Sequence, residues 1–151
     1  MSLKRRLVLP NEAATAELAA ELAGIARRRD VFALSGPLGS GKTAFARAFI
    51  RALTAPDEEV PSPTFTLVQS YDSSKGLLHH FDLYRLEGQE QAVELGIDDA
   101  FAEGICLVEW PERLGRLLPS RSLRIDLAAG GSADERIASI TGEESWVNRW
   151  A

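Results

Sequence analysis

With 151 residues, 45% of them apolar and 26% charged, the chain has the length and polarity of one globular domain with a sound core, expected to span residues 1–151. A formal charge of −5 argues against a general nucleic-acid coat or a polybasic membrane surface, and no apolar run approaches the ~18 residues of a membrane span. The single cysteine, Cys106, has no partner for an intramolecular disulfide, and no apolar signal segment follows Lys4-Arg5-Arg6, so a reducing, cytoplasmic setting is expected.

In chain order, Arg6 to Leu9 predicts a short strand closed by Pro10. Asn11 is a good helix N-cap, and Glu12 suits the positive end of the dipole. Ala14, Leu18, Leu22 and Ile25 then recur at helical spacing. Arg27-Arg28-Arg29 are expected at the negative end of that helix, as a solvated terminus rather than a phosphate or RNA contact. Asp30 to Leu34 reads as a strand, and Ala44 to Leu53 as a helix. Between them, Ser35-Gly36-Pro37-Leu38-Gly39-Ser40-Gly41-Lys42-Thr43 matches the phosphate-loop pattern G-x-x-x-x-G-K-[ST]. A random chain of this length would match less than roughly one time in a hundred.

The pattern carries its chemistry locally. Gly36, Gly39 and Gly41 open backbone conformations closed to residues with a Cβ, so successive N–H groups can point inward. Those amides and the following helix N-terminus form a cradle for a polyphosphate. Lys42 is expected on the β- and γ-phosphates and the Thr43 hydroxyl on Mg²⁺.

Beyond a polar break at Pro56–Val60, Thr64–Tyr71 and Leu77–Tyr84 read as two strands around the turn cluster Asp72–Gly76, hence an antiparallel hairpin. Gln89–Leu95 predicts a short helix ended by Gly96, with a further helical turn at Asp98–Phe101. Ile105–Trp110 is nearly continuous in apolar residues, as in a strand buried on both faces, and Pro111 opens a short helix at Glu112–Leu118. Leu123–Leu127 and Arg136–Ile140 alternate as half-buried strands joined across Gly130-Gly131-Ser132. Glu143–Ala151 is expected to be helical, with Trp146 and Trp150 packed back on the body. The sum is an α/β fold of the P-loop NTPase kind: a single domain with a mixed, mostly parallel central sheet, one antiparallel hairpin, and helices on both faces.

A phosphate loop also needs a carboxylate for Mg²⁺ and the attacking water, usually at the end of a buried strand. Glu109 is the stronger candidate because its strand is the more fully apolar, and beside the Val31–Leu34 strand it would face Thr43. For Asp82 a functional and a capping role stand about level. Ser62, Thr64 and Thr66 form a hydroxyl-bearing loop able to respond to a γ-phosphate. His79 and His80 fall on opposite faces of their strand, which disfavours a shared metal, and no Ser-His-Asp or Cys-His order suggests covalent catalysis. Trp110 is placed equally well near the nucleotide or in the core.

Four blocks together resemble the bacterial TsaE (YjeE) family: the phosphate loop, Ser62-Pro63-Thr64-Phe65-Thr66-Leu67-Val68, His80-Phe81-Asp82-Leu83-Tyr84-Arg85-Leu86, and Leu107-Val108-Glu109-Trp110-Pro111. The resemblance implies an ATPase of tRNA threonylcarbamoyladenosine biosynthesis, acting on adenosine 37 of tRNAs that read codons beginning with A. It implies TsaB and TsaD as partners whose complex is reset or regulated by ATP hydrolysis, tRNA met only through that complex, and no membrane or DNA partner. Carried residue by residue, Lys42 and the loop at Gly36, Leu38, Gly39, Ser40 and Gly41 would hold ATP, and Thr43 and Glu109 would hold Mg²⁺. Asp82 and Ser62–Thr66 would serve hydrolysis, while Glu12, Trp110 and Arg136 would lie near the nucleotide. The alternative is a small-molecule or nucleotide kinase. A kinase is expected to carry an arginine-rich lid, whereas Arg113, Arg116, Arg121, Arg124, Arg136 and Arg149 are scattered. A GTP switch would want an N-K-x-D base reader, which the sequence lacks. With no cis arginine finger in evidence, slow hydrolysis alone and faster hydrolysis with partners is expected.

Overall fold

In the computed structural model, which describes residues 1–150, the strands are β1 (Leu3–Leu9), β2 (Val31–Ser35), β3 (Val68–Ser73), β4 (Gly76–Asp82), β5 (Ile105–Glu109), β6 (Leu123–Ala129) and β7 (Arg136–Gly142). The helices are α1 (Glu12–Ile25), α2 (Lys42–Leu53), α3 (Gln89–Glu94), α4 (Ile97–Glu103) and α5 (Ser145–Arg149), with a 3-10 segment at Pro111–Leu117. All seven strands join one sheet in the order β1-β7-β6-β2-β5-β4-β3. Its centre, β6-β2-β5-β4, is parallel. The hairpin β3–β4 is antiparallel, and so is β7 against both β6 and β1.

The strand sequences follow from what covers them. One face carries α1, α2 and α5 over a core that includes Phe32, Phe45, Phe49, Leu107, Ile125 and Trp146. The opposite face is covered by α3, α4 and the 3-10 segment, around Ala33, Phe81, Phe101, Val108 and Leu114. β2 and β5 lie under both layers and are apolar at nearly every position. β1 and β6 keep one face in solvent, where Lys4, Arg6 and Arg124 stand exposed, and their sequences alternate accordingly. Among the described residues no helix is long and apolar enough to cross a membrane.

Several boundaries differ from expectation. α1 stops at Ile25, so Arg27-Arg28-Arg29 lie beyond it, exposed, with Arg29 at φ +76°. The cations at its negative end are Lys75 from the hairpin turn, whose Nζ donates to the carbonyls of Ala23, Gly24 and Ala26 at 2.9, 2.7 and 2.8 Å, and Arg149, whose Nη2 donates to that of Ile25 at 3.0 Å. Thr64–Leu67 is a turn rather than strand, with Leu67 at φ +69° and its N–H on the Pro63 carbonyl at 2.6 Å. The two prolines at its entry fix φ and block strand pairing, so β3 starts only at Val68. Trp110 leaves β5 at φ +60°, and the following helix is a 3-10 segment broken at Gly115. The terminal helix is confined to Ser145–Arg149; it buries Trp146 and leads into buried Trp150, while its expected end at Ala151 lies outside the described residues.

Candidate functional site

β2 runs straight into the glycine loop at the carboxyl end of the parallel strands. Gly36 has φ +136°, and a Cβ there would stand 2.3 Å from the Leu127 carbonyl oxygen and 2.7 Å from Ser40 Oγ. Only glycine fits, by conformation and by space. Gly39 and Gly41 also take positive φ, and Gly41 hands the chain directly to α2 at Lys42. The outer turn of the loop is held from β7: Arg136 Nε donates to the Ser40 carbonyl at 3.1 Å and its Nη2 to that of Gly39 at 3.2 Å. Lys42, buried, folds back so that Nζ donates to the carbonyls of Gly36 and, at 3.1 Å, Pro37, and it lies 4.0 Å from the Trp110 ring centroid. Burial pushes its pKa below the usual lysine value, and the nearby Glu109 carboxylate opposes that shift.

Two acids stand side by side at the adjacent strand ends, because Asp82 of β4 pairs in register with Glu109 of β5. Both are buried, and both side chains leave the sheet on the α2 side. Glu109 Oε1 accepts from Thr43 Oγ1 at 3.2 Å, joining the head of α2 to the end of β5. Its Oε2 lies 2.6 Å from Nε2 of His80, which is fully buried. Asp82 has two engagements. Its Oδ1 accepts from the Tyr84 amide at 3.1 Å, a cap on the departing chain, and its Oδ2 accepts from Thr64 Oγ1 at 3.0 Å. Thr64 in turn meets Ser62 Oγ at 2.7 Å, so the hydroxyl loop is wired to this carboxylate. Thr66 faces elsewhere and accepts from Gln69 of the hairpin.

These groups line an open cleft of about 310 Å³, with Leu38, Lys42, Thr43, Asp82, Glu109 and Trp110 on its walls. Glu12 and Arg136 do not line that cleft. They border a smaller hollow of about 120 Å³ that shares Gly41 and Ala44 with it. Ser40 is buried, with an unpartnered Oγ among the described residues. The cleft gathers the glycine loop, one ammonium, the hydroxyls of Thr43, Thr64 and Tyr84 and two carboxylates. That set suits a polyphosphate together with a hard cation, and a Mg²⁺ ion that keeps waters and phosphate oxygens needs only a hydroxyl and a carboxylate from the protein.

His80 is the residue that sequence reasoning missed. In the sequence it stands only as a disfavoured ligand of a metal shared with His79. A signal was present: His80 lies two positions before Asp82 on one strand and therefore shares its face. The register that sets it under Glu109 is not visible in the chain.

A family model described as threonylcarbamoyl adenosine biosynthesis protein TsaE matches residues 9–137. Among relatives described as tRNA threonylcarbamoyladenosine biosynthesis protein TsaE, that of Bacillus subtilis is 39% identical over 140 residues, 92% of this chain and 85% of its own. That of Rickettsia felis is 38% identical over 139 residues, 92% of this chain and 81% of its own. That of Aquifex aeolicus is 41% identical over 114 residues, 75% of this chain and 81% of its own. The crystal structure of Bacillus subtilis YdiB superimposes with a TM-score of 0.79 at 30% identity, covering 98% of this chain and 91% of that one.

Proposed function

This chain belongs to the TsaE family of tRNA threonylcarbamoyladenosine biosynthesis, and from that premise we propose that it is a Mg²⁺-dependent ATPase whose turnover resets or regulates a TsaB–TsaD transferase complex. The observation that carries the catalytic half of this reading is the Thr43–Glu109 contact at 3.2 Å beside the loop Gly36–Gly41. It joins the two protein oxygens a nucleotide-bound Mg²⁺ needs to the amides that hold the phosphates. Family membership favours this reading over a small-molecule kinase.

In this mechanism the amides of Gly39, Ser40 and Gly41 bind phosphate oxygens, and Lys42 exchanges the Gly36 and Pro37 carbonyls for the β- and γ-phosphates. Thr43 and Glu109 would hold Mg²⁺, which would supply positive charge against the phosphates. Asp82 orients the attacking water and, through Thr64 and Ser62, links it to the loop that meets the partners. Arg136 keeps the outer turn of the loop in register by its bonds to Gly39 and Ser40. Among the described residues no guanidinium lines the cleft to act as an internal finger, so turnover is slow until partners assemble.

The test combines steady-state ATP hydrolysis, with and without TsaB and TsaD, with the level of threonylcarbamoyladenosine in bulk tRNA of cells lacking the gene. Stimulated, Mg²⁺-dependent hydrolysis and a depleted modification are expected. Rapid hydrolysis indifferent to partners would overturn the coupling, and normal tRNA modification would overturn the biological role.

A further inference from the structure

His80 takes no part in the mechanism above, yet it is the most deeply buried polar side chain beside the cleft, with no exposed surface. Its Nδ1 finds no hydrogen-bond partner among the described residues. An orphaned ring nitrogen in a dry interior is unfavourable, and an apolar residue at this position of β4 would avoid it. What the imidazole does reach is Glu109, through Nε2 at 2.6 Å from Oε2. A carboxylate only accepts, so in this bond Nε2 is the donor. Strand alternation sets this up. Leu78, His80 and Asp82 share one face of β4, and His80 pairs with Leu107 while Asp82 pairs with Glu109. The ring therefore lies on the same face as the two carboxylates, two residue pairs beneath them along the strands. With Thr43 on Oε1 and His80 on Oε2, both oxygens of Glu109 are held by donors from two different elements.

We propose that His80 is a positioning residue for Glu109. By donating Nε2–H to Oε2 it fixes the carboxylate's orientation, leaving the remaining lone pairs aimed at the cleft, so that the Mg²⁺ dependence of nucleotide binding rests on an imidazole that touches neither metal nor nucleotide. The proposal depends on Glu109 being a Mg²⁺ residue. Hydrogen bonds to metal-binding side chains of this kind change metal affinity by roughly 10- to 100-fold.

The experiment measures calorimetric affinity for the non-hydrolysable ATP analogue AMP-PNP in saturating Mg²⁺ and in EDTA. The ratio of the two affinities reports the metal's coupling to the nucleotide independently of turnover. His80→Leu is expected to lower that ratio about tenfold. His80→Gln, whose amide nitrogen reaches the place of Nε2, keeps the ratio near that of the parent. His80→Asn, whose amide nitrogen reaches only the place of Nδ1, lowers it as Leu does. A purely structural role would lower Tm and the affinity in EDTA in all three and leave the ratio untouched; that result overturns the proposal. Glu109→Gln, measured alongside, separates the two ideas. An unchanged ratio there removes the Mg²⁺ role of Glu109 and the proposal with it. A lowered ratio for Glu109→Gln, with parent-like values for His80→Leu and His80→Asn, overturns the positioning role alone. If the Leu variant does not fold, the Gln and Asn variants decide: different ratios support the proposal, and equal ones overturn it.

Discussion

Asp30 and Glu109 are both buried acids at the ends of central strands, 6% and 2% exposed, and they stand at opposite ends of the sheet. Asp30, just ahead of β2, is answered by a full charge. Arg149 Nη1 and Nη2 donate to its two oxygens at 2.8 and 2.5 Å, and the Arg27 amide adds a third bond at 2.9 Å. The guanidinium also lies 4.2 Å from the Trp146 ring centroid, sealing α5 against the body. Glu109, ending β5, receives among the described residues only the Thr43 hydroxyl and the His80 ring. One acid is closed by a guanidinium, and the other lines the cleft, where the proposed function has it bind a cation. On that reading the same burial serves stability at one end of the sheet and ligand chemistry at the other.

The largest expected effects test that division directly. Lys42→Ala should lower ATP turnover by about a thousandfold, roughly 4 kcal/mol of transition-state stabilisation, with little change in Tm. Arg149→Ala should do the reverse. Leaving Asp30 buried without its partner costs about 3 kcal/mol, seen as a Tm lower by ~10 °C, while turnover per folded molecule stays at the parent value. A loss of turnover in Arg149→Ala below its melting range would break the comparison.

Glu109→Gln keeps the shape while removing the charge, and its amide nitrogen replaces one of the two accepting oxygens. Turnover should drop about a hundredfold, and stability, by denaturant titration, should move by less than about 1 kcal/mol. Arg136→Ala comes next, with about a tenfold loss of nucleotide affinity from a loosened loop, because its contacts are to loop carbonyls. The smallest effect concerns Cys106, at the start of β5, whose thiol burial pushes up from 9.0 to about 12. The folded state holds this proton more tightly than the unfolded chain does. Its contribution is therefore fully present below pH 9 and is lost as pH climbs from 9 to about 12. Cys106→Ala should flatten that part of the alkaline stability curve, and the native thiol should resist iodoacetamide at pH 8.

Much of this was legible beforehand where the signal is local or periodic. The cap at Asn11, whose side chain accepts from the Ala14 amide at 2.9 Å, follows from residue type alone, and so does the hairpin around Ser73–Gly76. β5 was marked as doubly covered by its unbroken apolar run. Thr64–Leu67 misled, because threonine and phenylalanine favour strands, whereas Pro61 and Pro63 set the backbone there. The basic triplet misled too. Charge complementarity to a helix end is a correct rule, but a distant lysine reached the carbonyls first.

By itself the sequence determined the phosphate loop, since three glycines and a lysine at fixed spacing dictate backbone angles and donor directions over nine residues of contiguous chain. It also determined that an acid ends a buried strand. Only the tertiary structure decided which group answers which acid. Arg149 meets Asp30 across 119 residues, His80 meets Glu109 across 29, and Arg136 reaches Ser40 across 96. These partners are selected by strand order and register, and a contact between distant segments has no spacing in the chain by which to announce itself.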